Sequence, residues 1–159
     1  CGVWCVFVYR TGARRELHPA VRRQRRMCIR DSGCILVAAL LPVVCAGMAK
    51  RSGIGKSRKQ GGYDNHNPRA WLARQDERSA RANAAQDNSF EALPFFIGAV
   101  IIAHQLGAQQ AWLDGLAASF IGLRVAYIAL YVADRAGARS IVWALALLLN
   151  IIIFFLGFR

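Results

Sequence analysis

Asn88 and Glu91 stand three residues apart in "QDNSFEALPFF", a stretch that otherwise reads as the entry to a membrane helix. Arg124, Tyr127 and Tyr131 follow at spacings of three and four, and Arg139 with Ser140 opens the last apolar run. At a helical period each set falls on one face. A charged side chain inside a bilayer helix costs about 2.5–3.5 kcal/mol on insertion scales, so it is retained where it is paired or faces a polar site. Guanidinium, phenol, amide, hydroxyl and carboxylate groups gathered at one depth make a pocket for an anionic, peptide-like ligand. The structural alternative is that Glu91 and Arg124 form a buried ion pair fixing the bundle. Tyr127 and Tyr131 are then interface aromatics, and Arg135 and Arg139 anchor helix ends.

Other chemistries have no support. There is no GxSxG elbow, no Walker loop and no HExxH pair. All five cysteines lie at or before Cys45, and none has a His or a second Cys-x-x-Cys at ligand spacing, so no metal is expected. Cys34 and Cys45 fall inside an apolar run, as packing residues do. His104, at the far end of the second helix, reads as an interfacial residue.

The elements that must position these groups follow from how charge is distributed. The chain has 159 residues, 55% of them hydrophobic, yet a formal charge of +12. That combination fits a small polytopic membrane protein, in which apolar and charged residues are segregated. Gly33–Ala49 and Ser140–Phe158 carry no charge, and Gly115–Ala133 carries only Arg124. Ser140–Phe158 is apolar all round and leaves no face for water. We expect an all-α fold, a four-helix transmembrane bundle with helices at about 33–49, 69–105, 112–133 and 139–158. Asn67-Pro68 suits a helix start. Pro94 would permit a bend in the second helix. Ser79, Ala80, Ala82, Ala84 and Ala85 would allow close approach, within the chain or between subunits.

The segment Lys50–Arg81 holds nine Lys/Arg against three acidic residues. The positive-inside rule places it, with loop 50–68, in the cytoplasm, and both chain ends on the periplasmic side. Residues 1–32 carry eight arginines against Glu16 and Asp31, which opposes that topology. "VRRQRRMCIRDS" resembles translated sequencing-adapter read-through. Residues 1–32 are therefore expected to be a non-native or disordered basic extension, and no nucleic-acid partner is inferred from its charge.

"NSFEALPFF", "RVAYIALYVADRAGARS" and the preceding "YDNHNPRAW" together resemble the MAPEG family, the membrane-associated proteins in eicosanoid and glutathione metabolism. The likeness covers about residues 34–158 and is nearest to small bacterial inner-membrane members. It implies a homotrimer in a lipid bilayer, binding glutathione as cosubstrate near the cytoplasmic face and acting on apolar small molecules. It assigns Asn88, Glu91, Arg124, Tyr127, Tyr131 and Ser140 to glutathione binding, and Arg139 to stabilising the thiolate. A thiol titrates near pH 8.5 and its thiolate is the nucleophile, so a nearby Arg in a low-dielectric pocket would activate it. Two positions depart from the family pattern. Ala84 stands where several members have Arg, and Trp143 where several have Tyr. The implied activity is transferase or peroxidase chemistry on apolar electrophiles or lipid hydroperoxides. The alternative is a non-catalytic protein of the same fold, whose polar stripes serve trimer assembly or lipid-headgroup binding.

Overall fold

A computed structural model describes residues 19–57 and 61–158, with only the backbone described along 19–31. Among the described residues all regular structure is helical. Helix α1 spans Pro19–Lys50 and runs into a 3-10 turn at Arg51–Gly53. Four more helices follow: α2 Pro68–Leu72, α3 Glu77–Gln105, α4 Gln110–Val132 and α5 Ala136–Phe155. Three segments are long and apolar enough to cross a membrane: Ser32–Gly53, Gln110–Val132 and Ala136–Phe155. The first half of α3, "ERSARANAAQDNSFE", is too polar for α3 to join them. α3 is still central to the packing. α1 and α5 each pack against both α3 and α4, and α3 and α4 pack against each other.

The basic extension expected over residues 1–32 falls partly outside the described residues, at 1–18. From Pro19 the backbone is helical, so α1 starts upstream of the expected Gly33. Proline suits the first helical position, and no Gly or Pro interrupts the run to Ser32.

The single helix expected over 69–105 is broken in two. α2 ends after Leu72, and Asp76 adopts an extended ψ of 162° before α3 begins. Tertiary contact explains the break. Trp71 is buried against the loop after α1: its indole N–H donates to the Gly61 carbonyl at 3.2 Å, and the Tyr63 ring meets it edge-on at 5.2 Å. A Cβ on Gly53 would overlap the Trp71 ring, so only glycine lets the two meet. The freed helix ends are then satisfied locally. Gln75 Nε2 donates to the Trp71 carbonyl at 3.2 Å, and the Asp76 carboxylate accepts from the Ser79 N–H at 2.8 Å. These are the capping interactions that a helix end needs. They hold the Asp76 carboxyl below the ordinary carboxylate range, chiefly through the Ser79 side-chain and backbone hydrogen bonds.

Pro94 lies within α3, which runs on through it to Gln105. The core between α3, α4 and α5 centres on Phe96 and Phe120, whose rings stack at 4.2 Å, with Ala99, Leu113, Ala117 and Ile153 around them. Ser79, Ala82, Ala85 and Ser89 are buried within the chain along α3. At those positions the small residues serve packing within the chain, where α3 lies closely against α1. Much of the outer surface is apolar, including Leu36, Val43, Ile141, Leu148 and Phe155, as a helix bundle facing hydrocarbon requires.

Candidate functional site

Arg124 is the anchor of the site. It lies mid-way along a membrane-crossing helix and is 3% exposed. Its Nη1 donates to Asn88 Oδ1 at 3.0 Å, and its Nη2 donates to Ser89 Oγ at 3.2 Å. Ser89 in turn donates to the Ala85 carbonyl at 2.7 Å, which directs its oxygen lone pairs toward the guanidinium. Asn88 Nδ2 donates to Glu91 Oε2 at 3.3 Å. Asn88 is thus a relay between a buried cation and an exposed carboxylate. The direct Glu91–Arg124 pair weighed from the sequence is replaced by this relay. Glu91 lies one helical turn beyond Asn88 and turns outward, while Asn88 occupies the space facing α4.

The same guanidinium lies 4.7 Å from the Tyr127 ring centroid. Tyr127 meets Tyr131 edge-on at 5.6 Å, and Arg139 of α5 stacks over Tyr131 at 4.2 Å. A ladder of two arginines and two tyrosines therefore runs from the bundle interior to the start of α5. Each of the two arginine contacts places a cation on an aromatic face, worth about 0.5–2 kcal/mol depending on how dry it is. Cys45 of α1 closes the inner end. It is fully buried beside Ala85 and Tyr127.

Beside Arg124 lies a cavity of about 150 Å³. Asn88, Glu91 and Arg124 line one wall, Phe95 and Phe120 another, and Trp143, Leu147 and Asn150 of α5 close it. Of the residues expected to bind or activate a ligand, Asn88, Glu91 and Arg124 share this cavity. Tyr127, Tyr131 and Arg139 form the ladder and do not line it. Ser140 is exposed and its hydroxyl donates to the Ala136 carbonyl of its own helix at 3.1 Å, so it is not brought to the site. Arg81 also faces elsewhere: its guanidinium lies 3.7 Å from Asp134 in the α4–α5 turn and 3.5 Å from Glu77. Ser89 and the two phenylalanines were not singled out by the sequence. A hydroxyl next to Asn88 on the first membranous turn of α3 is the signal that could have pointed to Ser89.

No group of His, Cys, Asp and Glu among the described residues could hold a metal ion. No curated protein and no solved structure matches the chain. A model of the MAPEG family matches residues 33–159, a span that takes in every residue of the cavity and the ladder. With three helices able to cross a bilayer, that match makes this an integral membrane protein. The chain belongs to the MAPEG family.

Proposed function

We propose that the protein is a glutathione-dependent transferase or peroxidase of the bacterial inner membrane, acting on apolar electrophiles or lipid hydroperoxides as a homotrimer. The observation that carries this reading is the buried Arg124, held by Asn88 and Ser89 beside a cavity with the Glu91 carboxylate at its edge. Placing a cation at that depth costs several kcal/mol before pairing, which argues for a polar ligand nearby. α3 serves as a fourth membrane span in this reading, its polar first half at the cytoplasmic interface. Glu91 receives the ammonium group of the tripeptide, and Asn88 and Arg124 orient its backbone and carboxylate. Arg139 supplies the positive charge that favours the thiolate. It is half-buried on the Tyr131 face, and no carboxylate pairs with it among the described residues.

The cavity in one chain is about 150 Å³, well below the roughly 300 Å³ at which drug-sized ligand pockets begin. A tripeptide therefore extends beyond it, and a neighbouring subunit supplies the remaining wall. This fits a trimeric site and gives the three-fold assembly a catalytic reason.

A second reading rests on a specific observation: Arg124 already donates to Asn88 and Ser89 across the α3–α4 contact. On that reading the polar cluster is a clamp between α3 and α4, and the protein is non-catalytic. The two are separated by titrating glutathione into the detergent-solubilised oligomer while following thiolate absorbance. A saturable signal that Arg139→Ala abolishes without dissociating the oligomer supports the enzyme. No signal at millimolar glutathione from a folded oligomer rejects it in favour of the clamp.

A further inference from the structure

One polar group in the cavity is left unmatched by the bundle. Asn150 of α5 is 2% exposed and lines the cavity wall, and its buried side-chain carbonyl oxygen has no hydrogen-bond partner. Orphaned buried acceptors are rare and each calls for an explanation. Its neighbours, "ALALLLNIIIFF", show that an apolar side chain at this position would suit the helix. The other polar groups on the wall are engaged with one another through the Arg124–Asn88–Glu91 relay. What remains is aromatic and aliphatic, chiefly Phe95, Phe120, Trp143 and Leu147.

Size and chemistry restrict what can answer Asn150. The cavity is about 150 Å³ and open on one side, so the part of a ligand that it encloses is small, on the order of a single ring. The orphan oxygen lacks a donor, and the aromatic and aliphatic side of the cavity next to it favours a donor carried on an apolar body. A hydroxyl on an apolar body fits. It needs only one strong partner, and because it both donates and accepts it can pair with the amide in either orientation of the Asn side chain.

We infer that Asn150 is a positioning residue for a small apolar ligand bearing one hydroxyl, such as an alcohol, a phenol or a hydroperoxide, whose ring or short chain fills the aromatic-lined cavity. This rests on the proposed ligand-binding role of the cavity, and not on glutathione or thiol activation. It concerns the aromatic side of the cavity beside α5, and leaves the Asn88, Glu91 and Arg124 side to the tripeptide.

The test compares 4-methylphenol with para-xylene, which differ by a hydroxyl in place of a methyl group. Binding to the full chain in detergent is read from Trp143 fluorescence, with Trp143→Phe as the reference and both ligands corrected for partition into micelles. The wild type is expected to prefer 4-methylphenol by about tenfold, the scale of one buried hydrogen bond. Asn150→Leu is expected to erase the preference while keeping para-xylene binding, and Asn150→Thr to leave an intermediate preference. A purely structural Asn150 would leave the ratio unmoved, and an unchanged ratio in Asn150→Leu overturns the inference. Should Asn150→Leu not fold, the same ratio in Asn150→Thr decides, and its equality with wild type overturns the inference. A thiolate signal without binding of either probe rejects this inference and leaves the glutathione reading standing. Probe discrimination without a thiolate signal does the reverse.

Discussion

Arg124 and Arg139 make the same contact in two settings. Each lays its guanidinium on a tyrosine face, at 4.7 Å on Tyr127 and at 4.2 Å on Tyr131. Arg124 is buried and bonded to two side chains of a neighbouring helix. Arg139 sits at the first turn of α5, half-buried, with the tyrosine face as its described contact. The inner arginine donates to side chains of the fold, whereas the outer one rests on a tyrosine face.

The largest expected effect comes from stripping the inner arginine of its partners. Asn88→Ala combined with Ser89→Ala strands a buried charge, and we expect a loss of about 3–5 kcal/mol in unfolding measured in detergent. Arg124→Leu removes the charge itself and strands only neutral groups, so a smaller loss of about 1–3 kcal/mol is expected. If the order of these two variants were reversed, the relay would not be holding a cation. Arg139→Ala should cost no more than about 1 kcal/mol, the worth of an exposed cation–π contact, yet abolish any glutathione thiolate absorbance. Equal destabilisation by Arg139→Ala and Arg124→Leu would erase the distinction between the two arginines.

The smallest effect lies outside the membrane, at the cap of α3. The Asp76 carboxyl is held below its ordinary range by Ser79, so its contribution is in place above the unfolded carboxylate value. It is lost as pH falls through the lower folded value. Asp76→Ala should therefore lower the melting temperature slightly near neutrality, and the gap to wild type should close in acid. The Arg124 variants should show no such closure, because their hydrogen bonds involve a group that stays protonated throughout.

The apolar spans of α4 and α5 were legible because nothing but a bilayer explains such runs. Asn88, Glu91 and Arg124 were legible as a group because a charge inside the α4 run, and polar residues three apart where α3 turns apolar, demand partners. The break between α2 and α3 was not, since Ala73, Arg74 and Gln75 are all good helix formers. What overrides them is Trp71 reaching back to Gly53 and Gly61, a contact fixed by tertiary packing. Arg139 and Ser140 share a helix end with the cavity-lining Trp143, but periodicity does not tell which neighbour sits across from each turn. Trp143, Leu147 and Asn150 form a stripe in the sequence, and that stripe does reach the cavity. That Asn150 would lack a partner could be seen only once the surrounding helices were in place.

The Arg124–Asn88–Ser89 junction also bears on motion. Sliding or rotating α4 past α3 by one residue would pull a guanidinium, an amide and a hydroxyl out of register at once, in a medium offering no water to replace them. The register between those two helices is therefore fixed by three polar side chains as well as by packing. α5 is held to them by apolar contacts and the Arg139–Tyr131 stack, which tolerate small displacements.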